Sequence, residues 1–334
     1  MAVPDPRDAP PLRWGILAPG GIANKFARAI RVHTAATVVA VGSRDGGRAA
    51  RFAAEHGIPR AYAGYDELVR DAEVDAVYVA SPHSAHREHA VLAIEAGKHV
   101  LVEKALARNS AEVEAIFGAA QRSGVFAMEA MWTRFLPHVD FVHRTIASGT
   151  LGEVVSVVAD HGQFFEVGPD HRVVNPALAG GAMLDLGVYP VSFIVDLLGA
   201  PTSVTAAGEL TEAGVDGQVG MVFGYPARLQ GVAHTTLWAK TPTTATISGT
   251  LARIEIAGDF YASTTLRVVR RDGTVLGEFD GGVDNGFQFE AAEVARCVSE
   301  GRQESERMSW ASSRAVMAVM DEVRRQVGVR YPGE

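Results

Sequence analysis

LRWGILAPGGIANKFARAIRVH, residues 12–33, passes from a short apolar run into a glycine-centred bend and then into helical spacing. Strand, glycine bend and helix in that order mark the opening of a dinucleotide-binding βαβ series, and Ala18-Pro19-Gly20-Gly21-Ile22-Ala23 stands in the place of a G-x-G-x-x-G fingerprint. Gly20 is the essential centre, because only a residue without Cβ lets the amides at the helix start approach a pyrophosphate closely. The first and third positions are alanine, so a tight structural turn is the competing reading of the bend taken alone. Its place after the first strand of a longer βαβ rhythm favours Ala18, Gly20, Gly21, Ile22 and Ala23 as a pyrophosphate cradle.

That rhythm continues outward. VVAVGS is a second strand and GGRAARFAAEHG a helix; AYAGYDELVRD gives a connector and a short helix; VDAVYVAS is a buried strand followed by the helix SAHREHAVLAIEAG. HVLVEK, SAEVEAIFGAAQRSG and VFAME carry the pattern to about residue 130. Alternation at this spacing predicts a doubly wound parallel sheet of the Rossmann type over residues 12–131, behind a loose arm of residues 1–11. Beyond a helix at Phe135 to Ala147 the character changes to β-rich runs joined by tight turns, from EVVSVVADHGQFF to TLRVVRRDGTVLGEF. Helical segments at Gly181 to Leu198, Phe287 to Glu300 and Ser309 to Gln326 accompany them. Residues 132–334 therefore read as an α+β unit built on a large, mostly antiparallel sheet. The predicted fold class is α/β followed by α+β.

Composition narrows the partners. Residues 1–131 hold 15 basic and 15 acidic side chains, and the rest holds 16 against 24. No basic surplus exists to neutralise a phosphate backbone, so nucleic acid is not an expected partner. The opening MAVPDPRDAPP lacks the cationic start and apolar run of a secretion signal, and apolar runs are broken by charge or glycine before membrane-spanning length. The expectation is a cytoplasmic protein with no membrane partner. Cys297, the single cysteine, lies in a helical pattern and reads as a buried structural thiol.

Cofactor choice is written at the end of the second strand. NAD-specific sites place an acid there for the ribose hydroxyls. This chain has Ser43 and Arg44, whose hydroxyl and guanidinium suit a 2′-phosphate, so NADP is the expected cofactor. NAD stays open as the alternative, because Asp45 follows immediately. Lys104 closes HVLVEK at the carboxyl edge of the parallel sheet, where such folds bind ligands. Asp185 and Tyr189, in GGAMLDLGVY, are four residues apart and share one helical face. His83, His86 and His89 are too close in sequence, with no cysteine or paired acid, to complete a tetrahedral set, so no metal is expected.

Taken together, WGILAPGGIA, VDAVYVASPHSAH, EAGKHVLVEK, MEAMWTRFLP and NPALAGGAMLDLGVYPV resemble the glucose-fructose oxidoreductase, inositol dehydrogenase and MocA superfamily, and within it the dimeric dihydrodiol dehydrogenase branch. The resemblance covers nearly the whole chain. It implies reversible hydride transfer between nicotinamide C4 and a secondary alcohol or ketone of a sugar, cyclic polyol or dihydrodiol. It makes Lys104, Asp185 and Tyr189 the catalytic set, with Tyr189 as general acid/base, Lys104 favouring its deprotonation and binding the substrate oxygen, and Asp185 orienting a substrate hydroxyl. Lys104 as the proton donor is the rival assignment. Ser81, Pro82, His83 and His86 match the family loop beside the nicotinamide, Glu103 precedes the motif lysine, and Trp132 and Arg172 match positions bordering the substrate. The family proline after the lysine is Ala105 here, and a cis bond before a residue other than proline costs about 3 kcal/mol, so the Lys104–Ala105 peptide is expected to be trans. A homodimer through the second sheet is the implied assembly. A cofactor-binding regulator and a redox-assisted glycosidase are the alternative functions on such a fold.

Overall fold

The computed structural model describes residues 3–168 and 170–334. They divide into two compact units, one of Pro4–Trp132 with Asn285–Ser313, the other of Thr133–Asp284 with Arg314–Glu334.

The first unit alternates strand and helix: β1 Arg13–Leu17, α1 Gly21–His33, β2 Thr37–Gly42, α2 Gly46–His56, β3 Arg60–Tyr62, α3 Tyr65–Arg70, β4 Ala76–Val79, α4 His86–Glu95, β5 His99–Glu103, α5 Ser110–Ser123 and β6 Ala127–Ala130. All neighbouring strands are parallel, in the order β3-β2-β1-β4-β5-β6. The chain therefore reverses its direction of travel across the sheet between β1 and β4, and the crevice outside their carboxyl ends is where this topology binds ligands. Residues of β4 are buried throughout, as strands covered on both faces must be. α1 buries Ala23, Phe26, Ala27, Ala29 and Ile30, and Phe26 stacks on Tyr78 of β4 at 3.9 Å between ring centres.

Three expectations are corrected in this unit. β3, read as a connector, is a three-residue edge strand too short to show alternation. The arm expected to be loose is packed: Pro6–Asp8 form a 3-10 turn, Pro6 and Ala9 are buried, and the Asp5 carbonyl accepts from Arg296. Residues 1 and 2 of that arm lie outside the described residues. Finally, Asn285–Ser313, assigned to the second unit, belongs to the first. Its helix α8, Phe287–Ser299, lies against α1, and Trp310 Nε1 donates to the Ala127 carbonyl at 2.9 Å. Helical periodicity says that α8 has an apolar face but not which unit covers it.

The second unit is built on an eight-stranded sheet. Its strands are β7 Val154–Gly162, β8 Ser203–Leu210, β9 Asp216–Gly224, β10 Gln230–Thr236, β11 Ala245–Gly249, β12 Ala252–Ile256, β13 Thr265–Arg270 and β14 Val275–Asp280, ordered β14-β13-β12-β11-β7-β10-β9-β8. Every pairing is antiparallel except β7 with β10. Helices α6 Pro137–Ala147 and α7 Val188–Leu198 pack on the sheet, and α9 Trp310–Val327 closes the order of elements. Pro176–Leu198 is as apolar as a membrane span, with mean hydropathy 1.6, but 94% of that window is buried inside the structure, as in a core helix.

Candidate active site

In the first unit the predicted residues gather at the carboxyl edge of the parallel sheet. α1 starts at Gly21 after Gly20, and no side chain caps it, so its first amides have no local acceptor. A Cβ built on Gly20 or Gly21 would meet nothing within 4 Å. The glycines thus leave open space over an uncapped 13-residue helix, the form of site that takes a pyrophosphate. Ala18 adopts φ 66°, the left-handed region a fingerprint glycine would occupy at lower cost. Ile22 and Ala23 continue the first turn.

Ser43 is buried at the end of β2, Arg44 is exposed, and Asp45 caps α2, its Oδ1 accepting from the Arg48 amide at 3.1 Å. That bond draws the Asp45 carboxyl below its usual range. Between β4 and α4, Ser81 is buried and its hydroxyl oxygen meets no hydrogen-bonding partner among the described residues. An orphaned hydroxyl at the switch point of the sheet fits a site whose partner is a ligand. The residues present therefore suit a dinucleotide.

The segment after β5 departs from expectation. The Lys104–Ala105 peptide is cis, not trans. Side chains from elsewhere in the unit hold each side of it: His83 Nε2 lies 3.2 Å from the Lys104 carbonyl, His86 Nδ1 lies 2.9 Å from the Ala105 carbonyl, and the Leu106 amide donates to Glu129 Oε1 at 3.0 Å. These tertiary bonds set the path of the chain where local preference alone predicts otherwise. Pro82 leads into the turn that carries His83.

Glu103, which precedes the motif lysine and is assigned with it to the cofactor site, is buried. Its carboxyl accepts from the Tyr78 hydroxyl and from the Lys104 amide, and burial pushes it up to about 7. On α8, Glu290 is fully buried with neither carboxyl oxygen partnered among the described residues, and burial reinforced by the Glu103 charge raises it well above the ordinary range. Trp132 stacks on Phe287, ring centres 4.9 Å apart and planes nearly parallel, so one face of the indole is covered.

In the second unit, Asp185 and Tyr189 lie on one continuous helical run. The run begins as a π-helical turn, Met183–Gly187, where the Val188 amide reaches back five residues to the Met183 carbonyl. Pro190 lacks the N–H that an α-helix would aim at the Leu186 carbonyl, which favours the wider turn. Arg172 forks onto Asp185, Nη1 to Oδ1 at 2.9 Å and Nη2 to Oδ2 at 3.3 Å. Arg172 therefore acts on Asp185 itself. The start of the run is anchored by buried Asp216, whose Oδ2 accepts from the Met183 amide at 2.6 Å and whose carboxyl burial pushes up to about 7. Gly181, at φ 117°, is required there, since a Cβ would fall 2.3 Å from Asp216 Oδ1.

Sequence reasoning missed the residues around Tyr189. Tyr261 lies 4.7 Å from its ring and His161 5.3 Å, and these two stack on each other at 4.3 Å. Gln163 Nε2 sits 3.0 Å from His161 Nε2 and donates toward the Tyr261 hydroxyl at 3.4 Å. The only available signal was the inward phase of His161 on β7.

Comparison with known proteins agrees with this architecture. The GFO/IDH/MocA oxidoreductase family, described by its NAD-binding Rossmann fold, matches residues 12–131, and the GFO/IDH/MocA C-terminal domain matches residues 139–255. The trans-1,2-dihydrobenzene-1,2-diol dehydrogenase of Xenopus tropicalis is 36% identical over 331 residues, covering 96% of this chain and 99% of the relative. KijD10, a 3-ketoreductase from Actinomadura kijaniata solved in complex with NADP and TDP-benzene, is 26% identical with a TM-score of 0.84, over 95% of this chain and 98% of that one. The aldose-aldose oxidoreductase of Caulobacter crescentus shares the fold at a TM-score of 0.86, with 24% identity over 96% of this chain and 98% of its own. A parallel sheet with an open glycine cradle, an antiparallel second sheet and matches along nearly the full length lead to one assignment: the chain belongs to the GFO/IDH/MocA family of NAD(P)-binding oxidoreductases.

Proposed function

We propose that this chain is an NADP-dependent dehydrogenase or reductase that moves a hydride between nicotinamide C4 and a secondary alcohol or ketone on a dihydrodiol, cyclic polyol or sugar ring. The observation that carries the reading is the uncapped start of α1 beneath the open space at Gly20 and Gly21. The dihydrodiol dehydrogenase relative supports the substrate class, and the NADP complex of KijD10 supports the cofactor. Asp45 supports NADP further: the one acid that could serve ribose hydroxyls is committed to capping α2, while the Arg44 guanidinium is exposed beside it.

Gly20, Gly21, Ile22 and Ala23 hold the pyrophosphate with backbone amides, Ala18 shapes the bend before them while its own amide donates to the Gly42 carbonyl, and Ser43 and Arg44 hold the 2′-phosphate. The bound dinucleotide supplies the hydride acceptor or donor. Tyr189 takes the alcohol proton during oxidation and returns it during reduction, and the Lys104 ammonium stabilises the developing alkoxide. Asp185, braced by Arg172, keeps lone pairs on both oxygens and accepts a hydrogen bond from a second hydroxyl of the substrate.

A homodimer through the eight-stranded sheet is part of the proposal. Val158 on β7, Val232 on β10 and Val222 on β9 are paired side by side in register, with Val158 and Val222 exposed. An apolar row of this kind across the middle of a sheet is suited to burial against a second copy.

The decisive experiment is a panel of dihydrodiols, inositols and sugars with NADP and NAD, followed at the nicotinamide absorbance. Stoichiometric NADPH formation with at least one ring alcohol is expected, and no turnover across the panel would overturn the reading. Replacing Arg44 by Ala is expected to weaken NADP at least tenfold while leaving NAD within about twofold. Equal loss of both would remove the 2′-phosphate role.

A further inference from the structure

Beyond α9 the chain turns at Gly328 and brings Tyr331 into the second unit, where it is 3% exposed. The Tyr331 hydroxyl donates to the Gly180 carbonyl at 2.6 Å. Ring and backbone are both held in place: the Arg324 guanidinium of α9 stands 4.9 Å from the ring centre, and Glu334 accepts from the Tyr331 amide and from Arg324 Nη1, each at 3.0 Å. Arg324 is itself buried and also donates to Asp321. A phenylalanine would supply the same apolar cover, so what the phenol adds is one directed bond to one backbone atom.

Gly180 is the junction at which the segment carrying Arg172 meets the segment carrying Asp185. A Cβ on Gly180 would fall 2.6 Å from the carbonyl oxygens of both Arg172 and Val173, so the two backbones touch there. The Gly180 amide donates to the Asn175 carbonyl at 3.0 Å, the Gly181 amide to the Val173 carbonyl at 2.7 Å, and the Asp185 amide reaches back to the Gly181 carbonyl at 3.4 Å. Half of the Arg172 side chain is in solvent, so packing does not fix it and the backbone beneath it must. The longer arm of its fork onto Asp185, at 3.3 Å, leaves little room before it ceases to be a hydrogen bond. A shift of the Gly180 peptide therefore disturbs the setting of Arg172 against Asp185.

We propose that Tyr331 is a positioning residue for the substrate: by holding the Gly180 carbonyl it fixes the junction that sets Arg172 against Asp185, and so determines the affinity for the second hydroxyl of a ring diol. The inference rests on the proposed function, in which Asp185 accepts from that hydroxyl. Because the second hydroxyl does not react, its bond to Asp185 is the same in the ground and transition states. Misplacing Asp185 therefore raises KM and spares kcat.

The test uses the full chain with a ring diol that it oxidises, and cyclohexanol as the analogue lacking the second hydroxyl. Tyr331→Phe keeps the ring beside Arg324 and removes only the hydroxyl. It should raise KM for the diol at least fivefold with kcat within about twofold, while the Kd of NADP and the Ki of cyclohexanol against the diol stay within about twofold. Tyr225→Phe deletes a bond of the same kind at the other end of the helical run, where the Tyr225 hydroxyl donates to the Gly199 carbonyl at 3.0 Å, and should change none of these values. Arg324→Lys keeps a cation but loses the fork onto Glu334; it should raise the diol KM in the same direction by a smaller factor, and supplies the readout should Tyr331→Phe not fold. An unchanged diol KM in the folded variants, an equal loss for diol and cyclohexanol, or a matching rise in Tyr225→Phe overturns the positioning role and leaves the dehydrogenase reading standing. Absence of NADPH formation with every ring alcohol overturns both.

Discussion

On the proposed function, a missing Cβ at Gly20 and the phenol of Tyr189 carry much of the chemistry. Gly20 has φ −140°, a conformation any residue adopts, and a Cβ there would meet no protein atom within 4 Å. Gly20→Ala should therefore fold with an unchanged Tm, yet lose at least tenfold in NADP(H) affinity by calorimetry, because the methyl occupies the space left for the pyrophosphate. A drop in Tm without loss of affinity would show the glycine to be structural. Tyr189 is 7% exposed and packed against Tyr261 and His161, contacts a phenylalanine ring keeps. Tyr189→Phe should lower kcat by 10²-fold or more while leaving dinucleotide affinity within about twofold. Gly20 was proposed from its place after the first strand, and Tyr189 only through the family resemblance of the segment that carries it. Tyr261, Gln163 and His161 were not legible, since they come together from separated segments with no pattern to link them.

At the scale of elements, α8 and β5 present the least expected arrangement: Glu290 and Glu103 are buried together, next to Glu129, which accepts from Leu106 and Ser313. Burial raises the Glu103 and Glu290 carboxyls, so the folded state binds protons that the unfolded state releases. Stability therefore falls as pH rises out of the ordinary carboxyl range, by about 1.4 kcal/mol per pH unit for each proton retained. Glu290→Gln removes one such proton uptake. Its Tm should exceed that of the parent at pH 8 by a few degrees, with the gap closing as pH falls toward 4.5. Calorimetric scans across that range decide the matter, and a gap independent of pH would assign the effect to packing. The π-helical turn before Tyr189 belongs to this scale too. Pro190 hinted at a break in the ladder, but the width of the turn also depends on Asp216 and the Gly181 backbone, which come from separate segments.

For the whole molecule, the Val158, Val232 and Val222 row yields the prediction about assembly. Val232→Glu places a charge in the middle of the row and should convert a dimer to a monomer by sedimentation, with secondary structure retained. A parent protein that sediments as a monomer would refute the proposed interface. Resemblance to the family singled out Lys104, Asp185 and Tyr189, while the sequence by itself determined the parallel α/β class of residues 12–131, the β-rich second part and the glycine bend. Each of these last three is written in a local period or a short spacing. Tertiary structure alone decided that Asn285–Ser313 packs with the first unit, that the opening arm is held by Arg296, that Glu103 turns inward, that Arg172 grips Asp185 and that the Lys104–Ala105 peptide is cis. The reason is common to all five: periodicity reports which face of a segment is apolar, whereas the partner that covers the face, or holds a carbonyl, arrives from a distant part of the chain.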